Sequence, residues 1–502
     1  MVSDVVQLKA RMEEALAKGK EWMRNVRIEL KEAGKIVCGW GERDKSTSID
    51  PWGGTADGIL CLLKGKPGKE DLQVVEKAIG WFYGHQEDTG GFSSEIPPIK
   101  HPITQCTAWV LMALVEYAEK VLAPETREDV GQELLRSVRL AIEWLKDNQN
   151  DDGGWGLWKD EEHGSRVYPT AVAVRALIRA FKLLRRIGYD PSFLLDLKKR
   201  IKRGVKWLLD ARGLRGAWGF VPRAHEVYPA HTAHAFITLY EWYELTEELS
   251  SRGFKLMSDE VRTFLLEMIS DEHLWAPCTE LISDIKDPIA GGGRGIGTTH
   301  FSTPWCIMAL CLLGLSIFDE PILSAVESLL SLQDEKTGAF FFSQDARETG
   351  DRRIWATHDA VTALDFLLRR LSDPDSLLRE LNILMKRAQD LEEHFRTCSA
   401  FVQNIEDTII THGRKVFLLT CGLILVPLAV ILLYLWLAPL SFWIPVFLTL
   451  TALLPYCKIV EGLASRLIKG PEDLAKIRKR AQELTEERKR LLRARGLSKE
   501  RR

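Results

Sequence analysis

Two kinds of helical segment alternate along this chain. The first kind is amphipathic. Residues 4–33, 70–86, 130–149, 193–211, 258–270 and 320–333 place apolar side chains at three- and four-residue spacing with charge between them. In the first of these, Val5, Leu8, Met12, Ala15, Trp22 and Val26 make the stripe. Gly34 then closes the helix, since glycine takes the left-handed conformation that a helix end often needs. The second kind is apolar nearly all round, as in Thr107-Ala108-Trp109-Val110-Leu111-Met112-Ala113-Leu114, and predicts a buried helix. Segments of this kind begin at Asp50-Pro51-Trp52, His101-Pro102-Ile103, Tyr168-Pro169-Thr170, Tyr228-Pro229-Ala230, Thr303-Pro304-Trp305 and Trp355-Ala356-Thr357. Five of the six open with proline, which suits a first helical turn because its missing N–H would be unpaired there anyway.

A glycine-aromatic turn separates each amphipathic segment from the apolar one that follows. Asn150-Asp151-Asp152-Gly153-Gly154-Trp155-Gly156 is the fullest copy. Glu87-Asp88-Thr89-Gly90-Gly91-Phe92, Arg215-Gly216-Ala217-Trp218-Gly219 and Lys336-Thr337-Gly338-Ala339-Phe340 repeat it, and Gly39-Trp40-Gly41 is a short form. Residues 91, 154, 217 and 339 are 63, 63 and 122 apart, so a degenerate copy belongs near Leu274-Trp275-Ala276-Pro277. A period of roughly 60 residues means a repeat in which each unit buries its face against its neighbours. The order is outer helix, turn, inner helix, six times over. Six such hairpins close into an all-α (α/α)6 toroid over residues 1–372 with the apolar helices inside. The competing arrangement, an open solenoid of helical hairpins, has a period near 34 and no Gly-Gly-Trp turn.

Composition narrows the picture. A formal charge of -2 excludes a generally basic nucleic-acid binder. Nine cysteines without a Cys-x-x-Cys pair, most of them in apolar text such as Cys61, Cys106, Cys306, Cys311 and Cys421, read as reduced core thiols. Residues 1–35 are rich in Lys and Glu, so no secretory signal is expected there.

At Asn148-Gln149-Asn150-Asp151-Asp152-Gly153-Gly154-Trp155-Gly156 the chain resembles the Gln/Trp repeat of squalene and hopene cyclases, which protein prenyltransferase β-subunits share in weaker form. Gln86 to Phe92 and Gln333 to Phe340 are similar, with Phe for Trp. The resemblance covers about residues 35–370 and implies the α/α toroid. The turn itself is structural: glycine reverses the chain where a β-carbon would clash, and the aromatic fills the gap between hairpins. Gln149 and Gln333 are placed to tie a helix end to the neighbouring repeat.

Chemistry is expected where the inner helices begin, because their N-termini ring one mouth and carry partial positive charge. The residues there are Asp57, His101, Tyr168, Tyr228, His231, His234, His300, Trp305, Trp355, His358 and Asp359. An apolar wall with a few fixed donors suits a small-molecule site. The cyclases protonate their substrate from an Asp-x-Asp-Asp motif, which is absent here. Its nearest match is Thr357-His358-Asp359, with Asp359 as the acid and His358 as its partner. Zinc in the prenyltransferases is held by Asp, Cys and His near inner-helix ends. His358 resembles that His, but the partner stretch reads His300-Phe301-Ser302-Thr303-Pro304-Trp305, so no metal set is assembled and no cofactor is expected. His231 and His234 share a helix face, which fits either a metal pair or hydrogen-bonded structure. The run Ala290-Gly291-Gly292-Gly293-Arg294-Gly295-Ile296-Gly297 lacks a preceding strand and a following Gly-Lys-Ser/Thr, so it reads as a flap at the mouth and not as a phosphate loop. Asp151 and Asp152 could suggest a glycosidase carboxylate pair, but turn chemistry explains them.

Beyond the ring, residues 373–414 read as a charged connecting helix. From Val416 to Cys457 no charged residue occurs, enough for two bilayer crossings of roughly 20 residues each, joined near Pro439. Residues 415–458 are therefore expected to form a transmembrane hairpin, with a re-entrant loop as the competitor. Arg414 and Lys415 on one flank and Lys458, Arg466 and Lys469 on the other put the toroid and the tail 459–502 in the cytoplasm. Helices 375–412 and 471–502 are candidates for self-association. Two functions fit this reading. One is a terpene-cyclase-like isomerase, or prenyltransferase-like transferase, acting on an isoprenoid or similar lipid. The other is a non-catalytic toroid that binds a lipid, peptide or protein at the membrane as a scaffold or sensor.

Overall fold

The computed structural model describes residues 2–372, except 95–100, 122–127, 160–163 and 287–292, together with positions 393 and 400. The expected connecting helix, the hairpin 415–458 and the tail 459–502 lie outside the described residues. Among the described residues no helix is long and apolar enough to cross a membrane.

The two hydrophobic patterns sort the helices into two layers. The inner helices are α2 (Ala56–Leu63), α4 (Thr104–Val121), α6 (Val167–Arg186), α8 (Pro229–Leu245), α10 (Ser302–Leu312) and α13 (Ile354–Ser372). The outer helices are α1 (Val2–Asn25), α3 (Lys69–His85), α5 (Glu128–Asp147), α7 (Pro191–Asp210), α9 (Arg252–Glu267) and α11 (Glu320–Ser331), and a short α12 (Gln344–Thr349) fills a turn. Burial follows the patterns. In α6 every residue from Val167 to Ile178 is buried, whereas α7 buries only the stripe Leu197, Ile201, Gly204, Val205, Trp207 and Leu208. Each inner helix packs on the next, and α13 returns to α2 while α1 packs on α13, so the ring closes. An open solenoid is excluded.

The turns work as small staples. In all six repeats the backbone N–H of the turn aromatic donates to a threonine hydroxyl at the start of the inner helix: Trp40 to Thr55, Phe92 to Thr107, Trp155 to Thr170, Trp218 to Thr232, Trp275 to Thr303 and Phe340 to Thr357, at 2.9–3.1 Å. The indole N–H groups of Trp40, Trp155, Trp218 and Trp275 reach back to carbonyls in the last turn of the preceding outer helix, those of Met23, Leu145, Leu208 and Leu265. The turn glutamines bind forward. Gln86, Gln149 and Gln333 donate to the carbonyls of Ser137, Arg200 and Ala15, each on the next outer helix. Asp152 is a turn residue as expected, accepting from Gly154 N, Ser165 Oγ and Trp207 Nε1.

Three expectations need correction. The first helix stops at Asn25, and β1 (Ile28–Glu32) and β2 (Lys35–Gly39) follow as an antiparallel hairpin. Ala33 and Gly34 both have positive φ, the signature of a two-residue hairpin turn, so Gly34 reverses strands and does not cap the helix. Inner helices also begin later than the prolines suggest in the first two repeats, at Ala56 and Thr104. Finally, a strand does precede the glycine-rich run. β3 (Cys278–Lys286) pairs antiparallel with β4 (Gly293–His300), and Gly293 to Gly297 belong to the second strand.

Candidate active site

Each inner helix is separated from the next by one antiparallel outer helix, so all six run the same way and their first turns share one end of the ring. Two buried polar clusters lie at that end. The first joins α2 to α13. His358 Nδ1 is 2.7 Å from Asp57 Oδ1, off the line of the N–H, and 3.6 Å from Asp359 Oδ1. All three side chains are buried. Trp109 stands edge-on to His358, ring centres 5.6 Å apart, and packs against Trp305 at 6.1 Å. Burial, reinforced by the neighbouring charge of Asp57, pushes the Asp359 carboxyl well above the usual range. A hydrogen bond with Trp305 and the charge of Arg175 oppose this only partly. The result is a buried carboxyl that holds its proton more tightly than an ordinary aspartate, beside a histidine–carboxylate pair.

The second cluster is built by the β3–β4 hairpin and α8. Cys278 and His300 are cross-strand partners, and Glu280 lies two residues along β3, so all three share a face. That face meets His231. Its Nε2 is 3.6 Å from Glu280 Oε2, and its Nδ1 is 3.8 Å from Cys278 Sγ. Arg166 Nη1 holds the other Glu280 oxygen, Oε1, at 2.8 Å. Burial and then His231 depress the His300 imidazole to about 3, so it is neutral. Cys278, raised to about 12 by burial and Glu280, stays a thiol. His231, Glu280 and His300 bring one ligand atom each within 4.8 Å of the others, all buried.

Tyr168 links the clusters. Its hydroxyl accepts from Trp109 Nε1 at 3.0 Å, and its ring packs edge-on against His300 at 4.3 Å and His234 at 5.0 Å. His234 in turn lies 4.1 Å from the Trp305 ring, its imidazole held neutral by burial first and by His300 next.

Residues 58–255 match the family model of the prenyltransferase alpha-alpha toroid domain. Over 142 residues the chain is 22% identical to sporulenol synthase of Bacillus subtilis (strain 168), covering 26% of this chain and 21% of that protein. Over 157 residues it is 29% identical to ent-copalyl diphosphate synthase of Streptomyces sp. (strain KO-3988), covering 31% and 24%. The chain thus spans about a quarter or less of the length of these relatives. Among solved structures, an inactive variant of an alpha-1,6-mannanase of Salegentibacter sp. HEL1_6 superposes with a TM-score of 0.48 at 12% identity, over 71% of this chain and 99% of that one. The type II terpene cyclase MstE of Scytonema gives 0.41 at 12% identity, over 72% and 99%.

The toroid gathers eight of the eleven residues expected at this mouth, namely Asp57, Tyr168, His231, His234, His300, Trp305, His358 and Asp359. Three fall outside. His101 packs on Trp158, and Trp355 on Phe342. Tyr228 stacks on Phe220 and donates to Glu226, at the edge of the histidine cluster. The expected Asp359–His358 partnership also changes, because the nearer carboxylate to His358 is Asp57. Sequence reasoning missed Trp109, Glu280 and Cys278, which sit deeper in α4 or on a hairpin that was not foreseen. It also missed the opposite end of the toroid. There the C-terminal halves of the inner helices line a cavity of about 380 Å³ whose walls include Met112, Ile237, Met308 and Phe366. Its charges are paired: Lys64 with Glu116 at 2.9 Å, Arg175 with Glu241 at 2.8 Å and Arg179 with Glu241 at 3.3 Å. Arg175 connects the two ends, since it lines this cavity and lies over the Trp305 ring at 5.1 Å.

Proposed function

We propose that the toroid binds an isoprenoid, or a lipid of similar chemistry, and isomerises it by protonation from Asp359. The observation that carries this reading is the buried Asp359 carboxyl, pushed well above the usual range beside the Asp57–His358 pair and hydrogen-bonded with Trp305, with Trp109 packed on both His358 and Trp305. The matched stretches of a sporulenol synthase and an ent-copalyl diphosphate synthase support it. The cavity, within the roughly 300–1,000 Å³ usual for small-molecule sites, receives the apolar chain, and the Arg175–Trp305 layer stands between it and the acid. A chain end has to part that layer to reach Asp359.

The chemistry then balances without a co-reactant. The Asp359 O–H bond breaks and its proton forms a C–H bond with the π electrons of an alkene. The cation left on the neighbouring carbon faces the indoles of Trp109 and Trp305, whose π faces attract positive charge. A second alkene of the same chain closes a C–C bond, the last cation gives a proton to water, and the Asp359 carboxylate takes one up from water, so product and substrate are isomers. His358, 3.6 Å from Asp359 and 2.7 Å from Asp57, lies beside the carboxylate that forms. In this proposal the uncharged stretch 416–457 holds the toroid at the cytoplasmic face of a bilayer, where such lipids reside.

A toroid that binds without turnover is the second reading. It is favoured by the depth of Asp359 beneath Trp109 and Trp305, which are 5% and 2% exposed. Native mass spectrometry and lipid extraction of the detergent-purified chain, with squalene added as a probe, decide between the two. Wild type is expected to convert a bound isoprenoid to a product of the same mass, and Asp359→Asn to retain it but convert it about 10²–10⁴-fold more slowly. Equal binding without conversion in both proteins leaves only the binding reading. An empty cavity in both sinks the lipid assignment.

A further inference from the structure

We propose that His231, Glu280 and His300 form a binding site for one divalent transition-metal ion of the zinc class, clamping the β3–β4 hairpin to α8. The inference is independent of the acid chemistry at Asp359. It shares with the Asp, Cys and His set implied by the prenyltransferase resemblance only the stretch that begins at His300: His358 takes no part, and His231 and Glu280 come from α8 and β3.

Four observations converge on it. Two imidazoles and one carboxylate are a recurrent three-ligand set for zinc, with a fourth position left open. The Nε2 atoms of His231 and His300 are buried and have no hydrogen-bond partner, although buried polar atoms normally find one. The supporting contacts are those that aim metal ligands. Cys278 Sγ faces the Nδ1 of His231, turning its Nε2 toward Glu280, and Arg166 takes Glu280 Oε1, leaving Oε2 on the side of His231. The strand register makes the set compact, with Cys278, Glu280 and His300 on the inner face while Thr279 and Thr299 bond to each other on the exposed face.

The spacing is that of a site needing a small closure. A tetrahedral ion with bonds near 2.0–2.1 Å holds its donors roughly 3.4 Å apart. The His231–Glu280 pair already stands at 3.6 Å, and the widest separation in the set is within 4.8 Å. Soft and borderline ions are preferred over magnesium or calcium, which take oxygen ligands.

The test uses the full-length chain in detergent, stripped with a chelator, loaded with Zn²⁺ alone and freed of excess by gel filtration. Metal analysis is expected to find about one ion per wild-type chain and none in His231→Ala or in the isosteric Glu280→Gln. His101→Ala, remote from the set, is expected to keep the ion. Co²⁺ in place of Zn²⁺ is expected to give visible bands of a four-coordinate site in wild type only, and Zn²⁺ to raise the melting temperature of wild type only. Should His231→Ala fail to fold, as shown by circular dichroism, Glu280→Gln alone decides. Retention of zinc by the variants would mean adventitious binding elsewhere. Failure of wild type to retain it, or equal loading with Mg²⁺, would equally overturn the proposal.

Discussion

Asp359 sits in the second turn of α13, yet what sets its protonation comes from elsewhere in the fold. Asp57 on α2 adds like charge, Trp305 on α10 adds a hydrogen bond, Arg175 on α6 adds an opposing charge, and Tyr168 on α6 and His358 on its own helix complete the surroundings. The sign of the consequence follows. Folding raises the carboxyl from its ordinary 3.8, so the native state binds the proton more tightly than the unfolded chain does. Stability from this group is complete below about pH 3.9 and is lost as pH rises toward the folded value, at about 1.4 kcal/mol for each pH unit crossed between the two. Asp359→Asn removes the loss. Denaturation midpoints are expected to show the variant more stable than wild type at pH 7, with the gap narrowing toward pH 4. Parallel curves would show that Asp359 is ionised in the fold. His358 and Asp359 were legible in the sequence as neighbours on one helix. Asp57 was legible only as another inner-helix residue, because the contact joining the two ends of the chain depends on ring closure and helix rotation, which periodicity does not set.

At the scale of elements, what repeats was readable and what interrupts the repeat was not. Glycine-aromatic turns and prolines marked the hairpins, and the threonine that each turn aromatic binds was present in all six copies. Its offset varies with the intervening loop, from Trp218 to Thr232 up to Trp275 to Thr303, which hides it from a fixed-period search. The β3–β4 hairpin accounts for that longest offset, and with it the histidine cluster escaped notice. The closing seam offers a sharper test of what the turn glycines do. Gly338 has φ +87°, and a Cβ there would stand 2.5 Å from the Lys18 carbonyl oxygen on α1. Gly314 has nearly the same φ, +91°, with nothing within 4 Å of its Cβ position. Both alanine substitutions incur the left-handed strain of roughly 1–2 kcal/mol, but only Gly338→Ala also forces the turn after α11 away from α1. Urea denaturation is expected to find Gly338→Ala the more destabilised by at least about 1 kcal/mol, a core-overpacking cost. Equal losses would mean that the seam yields freely and the turn glycine serves backbone conformation alone.

For the molecule as a whole, closure implies that the toroid is complete before the long uncharged stretch begins. The last inner helix ends at Ser372, it packs on both α1 and α2, and Gln333 fastens the last turn to Ala15 of the first helix. Among the described residues every inner helix already has two inner neighbours. A chain ending at residue 372 is therefore expected to fold cooperatively, with coincident transitions by fluorescence and circular dichroism as a single unit requires. The two lengths of chain should then part in their dealings with lipid. The proposal that residues 416–457 enter the bilayer predicts that the full chain sediments with membranes and resists alkaline extraction, while the shortened chain stays in the supernatant with its tryptophans still buried. Membrane retention of the shortened chain would move the anchoring surface onto the toroid itself. Release of the full chain by alkali would leave 416–457 without an integral role. A shortened chain that unfolds or aggregates would show that the ring, though closed, depends on a later segment for its stability.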